Sequence, residues 1–203
     1  SLKIWNLAQR SVEYTLKGHT GPITAFAVSA DGRRAISASH DCTLKVWDIE
    51  HGREEHTLAG HTRQVYAVAL TGDGRQAISA SRDWTLKVWA LEQGVAAHTL
   101  IGHTGPVMAV AVTPDSRQAI SASNDNTLRV WDLKHGEIIC TLTGHVTNVW
   151  SLALTVDGRQ AISASRDGTI KVWNLEQSLL EQSKDVLTLR GHSAEIYSVA
   201  LIA

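Results

Sequence analysis

The sequence predicts an all-β protein made of tandem four-stranded antiparallel units, and three observations support this fold class. Markers recur every 42 residues, apolar residues inside each unit alternate with polar or small ones, and turn-forming residues separate the alternating runs. The clearest marker is a Gly-His pair, which begins at residues 18, 60, 102 and 144, and at 191 after a five-residue insertion. So regular a step indicates duplication of one structural unit.

In the unit from residue 60 to 101, the sequence pattern predicts four strands and the turns that follow them. Period-two runs predict strands at 65–70, 77–81, 85–89 and 97–100, with turn-forming residues at 72–74, 82–83, 92–94 and 102–103. Short turns join consecutive strands, so the unit is an antiparallel meander. The first strand carries the small residues Ala67 and Ala69 on one side, which suits a crowded position where sheets converge. One such sheet cannot bury both faces alone, so neighbouring units must stack on it.

The composition indicates a water-soluble globular protein of 203 residues, with 43% hydrophobic and 19% charged residues. The net charge is -1 and the two signs are interleaved, so no nucleic-acid or membrane partner is expected. No apolar run is long enough to span a membrane, and no leader opens the chain. Cys42 and Cys140 lie far apart without a CxxC motif, so we expect free thiols and a cytoplasmic location.

Further markers keep the 42-residue step, including an Asp before and a Trp within each third strand. With its Gly-His, Asp and Trp-Asp markers, the chain resembles the WD40-repeat family of β-propellers, and the near-identical tandem repeats resemble those of its bacterial members. The resemblance implies a structural tetrad of His, Ser, Asp and Trp in each blade. The four sets are His19, Ser37, Asp41 and Trp47; His61, Ser79, Asp83 and Trp89; His103, Ser121, Asp125 and Trp131; and His145, Ser163, Asp167 and Trp173.

The resemblance also implies that residues 1–203 form a single WD40 β-propeller domain or segment. Repeat units cover 18–59, 60–101, 102–143 and 144–190, with partial units at 1–17 and 191–203. This division gives 19 strands and about five four-stranded blades, and we expect them to belong to a larger, seven-bladed ring. The insertion at 177–185 is expected to lengthen a turn at the far end of one blade.

No catalytic or metal chemistry is indicated. The histidines outside the Gly-His markers occur singly, without HExxH or closely paired spacing, and no nucleophile elbow or phosphate-binding glycine motif is found in the right context. The many Asp residues are periodic, whereas an acid/base pair would be unique to one place. We therefore expect a protein that is not an enzyme, with no catalytic residues, no metal and no cofactor.

The residues that break the repeat symmetry are the candidate binding residues. They occupy the second position of the first strand and the positions immediately before and after the tetrad Asp, so we expect them to gather on one rim of the propeller. In the family that the chain resembles, the first two of these positions commonly contact peptides. The candidates for a ligand-binding rim are Tyr66, Arg82, Trp84, Met108, Asn124, Trp150, Arg166 and Tyr197.

Three simpler interpretations of these residues stay open. Large side chains at the start of inner strands can plug the central channel, and arginines in turns can be solvated. Trp84 can lie flat over the neighbouring blade. The third-strand cations are expected to be solvated rather than part of a basic patch; they are Lys45, Lys87, Arg129 and Lys171.

The sequence therefore predicts a non-catalytic scaffold or sensor module in signalling that binds a peptide or protein loop on its rim. Tyr66, Met108, Trp150 and Tyr197 would supply apolar contact, and Arg82 and Arg166 would pair with a carboxylate or phosphate. Resemblance to bacterial WD40 proteins suggests an effector elsewhere on a longer chain. The alternative is a structural array that self-assembles through open blades.

Overall fold

The structure is a computed structural model that describes residues 1–176 and 187–201. All regular secondary structure in these ranges is β, in 18 strands. The strands are β1 (Leu2–Asn6), β2 (Ser11–Leu16), β3 (Ile23–Val28), β4 (Arg34–Ser39), β5 (Thr43–Asp48), β6 (Arg53–Ala59), β7 (Val65–Leu70), β8 (Gln76–Ser81), β9 (Leu86–Ala90), β10 (Val95–Leu100), β11 (Val107–Val112), β12 (Gln118–Ser123), β13 (Leu128–Asp132), β14 (Glu137–Leu142), β15 (Val149–Leu154), β16 (Gln160–Ser165), β17 (Ile170–Asn174) and β18 (Leu187–Leu189).

Four sheets repeat the same antiparallel meander in chain order: β3 to β6, β7 to β10, β11 to β14, and β15 to β18. Each is a blade of a β-propeller, which confirms the predicted fold class. A fifth sheet pairs β1 with β2, which correspond to the third and fourth strands of a unit. The first strands of neighbouring blades contact one another, since β7 contacts β3 and β11, and β11 contacts β15.

The apolar core lies between the blades. Ile36 and Leu58 of one blade pack with Val65 and Trp89 of the next, and all four side chains are buried. The same arrangement recurs between the following pairs of blades. Because full burial of one such side chain contributes about 1.5–3 kcal/mol, the packing of neighbouring blades stabilises the propeller.

The blade formed by β3 to β6 has an uncovered inner face. Phe26 is 64% exposed, whereas Val68, its equivalent in the following blade, is 9% exposed. The sheet of β1 and β2 covers only the outer half of this blade, where Leu16 packs with Trp47. The uncovered face is therefore apolar, with Phe26 and Val28 at its centre.

The nineteenth predicted strand, the first strand of the partial unit 191–203, is wrong for its described part. A strand is stabilised by a continuous ladder of backbone bonds to a neighbour. Residues 196–201 have no paired strand among the described residues, and two separate bonds hold them instead. Ile196 N–H donates to Ser165 O at 3.2 Å, and Val199 N–H donates to Ser151 Oγ at 3.1 Å.

The predicted turn insertion at 177–185 lies outside the described residues. The larger, seven-bladed ring stays a prediction. Across residues 1–176 and 187–201, no helix has the length and apolar character needed to cross a membrane.

Candidate recognition rim

Each of the four complete blades contains a hydrogen-bonded tetrad. In the blade of β7 to β10, His61 Nδ1 lies 2.8 Å from Asp83 Oδ2, and His61 Nε2 lies 2.7 Å from Ser79 Oγ. The indole N–H of Trp89 donates to the same Ser79 Oγ at 2.8 Å. The same contacts, at 2.7 to 2.9 Å, join His19, Ser37, Asp41 and Trp47; His103, Ser121, Asp125 and Trp131; and His145, Ser163, Asp167 and Trp173.

Electrostatics fix the charge of these groups around neutral pH. Burial raises the pKa of Asp83, but hydrogen bonds from His61 and Thr85 outweigh burial and hold that pKa well below its usual range. Burial lowers the pKa of His103, although the hydrogen bond to Asp125 favours the protonated imidazole. The carboxylates stay ionised, and His103 resists protonation. These groups therefore act as structural ties.

The tetrads position one end of every blade. Asp83 Oδ2 also accepts the Thr62 N–H at 3.0 Å, so the Gly-His loop is tied to the turn between the second and third strands. We call this end of the blades the tetrad rim. The opposite rim carries the other two sets of turns, between first and second strands and between third and fourth strands.

A β-bulge turns out one residue of each first strand at the tetrad rim. The pairing register of β7 shifts between Val65 and Ala67, which leaves Tyr66 as the extra residue. The shift recurs around the positions of Met108 and Trp150 in the next two blades. Because a bulge re-aims the side chain of its extra residue, it distinguishes this position from the rest of the inner strand.

Trp84 is 51% exposed and has a left-handed backbone, with φ of +73°. The equivalent residues Cys42, Asn126 and Gly168 have φ between +70° and +74°, so the turn imposes this conformation. A non-glycine residue in this region costs about 1–2 kcal/mol. The half-exposed indole therefore lies at the rim, in a conformation that a tryptophan would not adopt by preference.

A groove of about 510 Å³ lies beside Trp84, between two blades. Arg63 and Arg82 line it from one blade and Pro106 from the next. The Arg82 guanidinium donates through Nη1 to Gln64 Oε1 at 3.3 Å. Neither arginine has an ion pair within residues 1–176 and 187–201. We call this space the Trp84 groove; it is lined by Thr62, Arg63, Arg82, Asp83, Trp84 and Pro106.

Two blades further along the chain, the arginine equivalent to Arg82 is Arg166, and this arginine already has an ion-pair partner. Arg166 Nε donates to Glu195 Oε1 at 2.6 Å, and Tyr197 O–H donates to Glu195 Oε2 at 2.7 Å. Trp150 stacks on Tyr197, with ring centroids 4.6 Å apart and planes 19° from parallel. Four residues from three segments therefore form one contiguous cluster on the tetrad rim.

The remaining rim candidates are less prominent. Tyr66 is half-buried and meets His40 edge to face, with centroids 6.2 Å apart. Met108 is half-buried as well. Asn124 has a buried Oδ1 to which no described residue donates.

Two of the third-strand lysines are buried, and the expectation that they are solvated is wrong. Lys45 Nζ donates to both carboxylate oxygens of Glu54 at 2.7 and 2.8 Å, and Lys171 Nζ donates to Thr188 Oγ1 at 2.7 Å. Their stems pack along the outer part of the blade, which the period-two pattern alone did not reveal. In the described part of the chain, no three His, Cys, Asp or Glu side chains cluster as metal ligands do.

Sequence reasoning missed Arg63 and Glu195. Arg63 stands where the other units have Gly21, Gly105 and Thr147, so the departure from the repeat was visible. The pairing of Glu195 with Arg166 needed the packing of one unit on the next, which the repeat comparison does not provide.

Comparison with known families agrees with the fold. The family model for the WD40 repeat, described as "WD domain, G-beta repeat", matches residues 10–48, 52–90, 94–132 and 136–174. Each match begins at or next to a fourth strand and ends at the third strand of the following blade, so the sequence repeat is offset from the blade by one strand. No curated protein matches the chain.

Proposed function

Because this chain belongs to the WD40-repeat family, we propose that it is a non-catalytic module that recognises a peptide or protein loop on its tetrad rim. WD40 repeats generally mediate protein–protein interaction or scaffolding, and proteins built of them are typically non-catalytic. The proposal adds where on this chain the partner binds.

The observation that carries the proposal is Trp84. Its side chain is half exposed, so the packing of the indole does little to offset the backbone strain at φ +73°. Strained residues persist where the surrounding structure over-determines them, and they cluster at functional sites. Tryptophan is also the residue type most enriched at interface hot spots, because a rigid ring contributes a large contact area at low entropic cost.

Neighbouring side chains extend the proposed contact surface. Tyr66 and Met108 are half-buried at bulges, and Tyr197 is 69% exposed against Trp150. They offer apolar surface to a bound chain. Arg82 can pair with a carboxylate or phosphate without breaking an ion pair, whereas Arg166 would first have to release Glu195.

We place this module in the cytoplasm, as a scaffold or sensor in signalling. The support is the bacterial type of its near-identical repeats and its free cysteines. In this proposal, partner binding on the rim is coupled to an effector on another part of a longer chain.

Selection of a random 12-residue peptide display library on the immobilised protein tests the proposal. Peptides that bind the wild-type protein should lose at least tenfold in affinity on the variant Arg82→Glu, Trp150→Ala. Lys134→Glu, on the exposed opposite rim, should bind them as the wild type does. Equal binding by all three proteins, or failure to select any peptide, would contradict the proposal.

A second candidate function is self-assembly, and the exposed face around Phe26 and Val28 favours it. Apolar faces of this kind associate in water. Sedimentation velocity across a hundredfold range of concentration should then show mass increasing with concentration, and Phe26→Ser should abolish the increase. A constant monomer mass would contradict self-assembly.

A further inference from the structure

The grooves of the tetrad rim are built from equivalent positions, which allows one groove to be compared with another. Each pairs the residue before a tetrad Asp with a residue just ahead of the first strand of the next unit. The four pairs are His40 with Gln64, Arg82 with Pro106, Asn124 with Asn148, and Arg166 with Glu195.

The last of these grooves contains its own carboxylate. Glu195 receives one bond from Arg166, at 2.6 Å, and one from Tyr197, at 2.7 Å. Both bonds lower the pKa of Glu195, so the group is a carboxylate around neutral pH. The chain thus demonstrates that an arginine at this position binds a carboxylate placed across the groove.

The Trp84 groove has the same arginine position but lacks the carboxylate. Pro106 replaces the acid, and Arg63 adds a second guanidinium where the groove of Glu195 has Thr147. The one acidic side chain lining the Trp84 groove is Asp83, whose oxygens accept from His61, Thr62 and Thr85. Two arginines therefore face this groove, and the carboxylate of Asp83 beside them is already hydrogen-bonded within the tetrad and its turn.

From this comparison we infer that the Trp84 groove is a subsite for a carboxylate side chain of the partner, bound by Arg82 and Arg63 beside the Trp84 ring. Glu195 is the internal counterpart of that ligand and masks Arg166. Guanidinium groups bind carboxylates through paired charge-assisted hydrogen bonds, and an adjacent indole favours an apolar group next to the acid. The inference rests on the proposed function, because it names the ligand chemistry of that same rim.

The test uses small probes and therefore does not depend on the peptide selection. N-acetylglutamate α-amide is titrated into the protein, and the NMR signals of the Arg82 Nε–H and the Trp84 indole N–H are followed. The neutral isostere N-acetylglutamine amide and phosphoserine amide are titrated in parallel. Saturable shifts are expected with the glutamate probe, and at least tenfold weaker responses with the glutamine probe.

Two substitutions exchange the properties of the two grooves. Pro106→Glu installs the internal carboxylate and should weaken the glutamate response at Arg82 at least tenfold. Pro106→Gln is the matched neutral variant, because Gln64 holds the equivalent position, and its glutamate response should stay at least tenfold stronger than that of Pro106→Glu. Glu195→Gln should unmask Arg166 and add its signal to those that respond.

An unchanged response in Pro106→Glu, equal responses to glutamate and glutamine, or tighter binding of the phosphate probe would each overturn the inference. Peptide binding on the rim without a glutamate response would refute the subsite and leave the proposed function standing. A glutamate response without any selected peptide would do the opposite.

Discussion

Trp84 and Gly168 hold equivalent turn positions with nearly the same backbone angle, φ of +73° and +74°, although one residue has the largest side chain and the other has none. The turn between the second and third strands imposes this angle in every blade. A glycine is therefore the conformationally cheap solution, and Trp84 departs from it.

Replacing Trp84 with Gly should separate stability from binding. Glycine relieves the left-handed strain of Trp84, which costs about 1–2 kcal/mol. The greater freedom of glycine in the unfolded chain offsets about 0.5–1 kcal/mol of this gain in stability. Urea denaturation should therefore show the free energy of unfolding unchanged or raised by up to about 1.5 kcal/mol. Affinity for rim-binding peptides should fall at least tenfold. A large loss of stability would instead assign Trp84 a packing role.

Removing the shared hydroxyl of a tetrad should destabilise the propeller. Ser79→Ala leaves His61 Nε2 and the Trp89 indole N–H without their partner in a buried site, so the free energy of unfolding should fall by about 1–3 kcal/mol. Thr104→Ala is the control, because that side chain is exposed and its backbone bond to Asp125 remains. Equal stability of the two variants would contradict the structural role of the tetrad.

Two glycines with similar backbone angles should respond differently to alanine. Gly32 has φ of +70° and no atom within 4 Å of an added Cβ. Gly32→Ala should therefore cost the left-handed strain of about 1–2 kcal/mol, less the roughly 0.5–1 kcal/mol that the lower freedom of alanine in the unfolded chain contributes to stability. Gly94 has φ of +65°, and an added Cβ would lie 2.8 Å from His56 Nδ1. Gly94→Ala should therefore destabilise more, by a further amount of about 1 kcal/mol. Thermal unfolding of the pair measures the difference, and a larger cost at Gly32 would contradict the close approach.

The free energy of unfolding should decrease as the pH falls below 6.5, the ordinary pKa of a histidine side chain. Burial lowers the pKa of His103 from 6.5, so the unfolded chain binds a proton more readily than the folded chain does. Stability is then full above pH 6.5 and is lost as the pH falls toward the folded pKa of His103, by at most about 1.4 kcal/mol per pH unit for one proton. Urea denaturation between pH 7.5 and 5.0 should show this slope, and His103→Gln should reduce it. A flat profile in the wild-type protein would refute the assignment.

Much of the fold could be predicted because each unit repeats the same local signals. The predicted strand at 65–70 coincides with β7, and the fourth strand begins two residues earlier than expected, at Val95. The prediction of a first strand in the partial unit 191–203 was wrong because strand formation depends on a pairing partner. The local alternation at Ile196 and after it could not reveal that this partner is missing from the described residues.

The rim was only partly predictable. Symmetry breaking identified Trp84 and Arg82, but it treated Arg166 as equivalent to Arg82. The two differ because Glu195 reaches Arg166 from the next unit, while Pro106 faces Arg82. Likewise, alternation could not predict the burial of Lys45, which depends on Glu54 in the neighbouring strand.

Site-specific photocrosslinking tests the central claim most directly. A benzophenone side chain is placed at position 62, which lines the Trp84 groove, or at position 134, which is exposed on the opposite rim. Both proteins are irradiated in a soluble cell lysate, and crosslinked proteins are identified by mass spectrometry. Recognition on the tetrad rim predicts a defined foreign protein crosslinked at 62, absent at 134 and lost with Arg82→Glu. Crosslinking only at 134, or only to further copies of this chain, would contradict it.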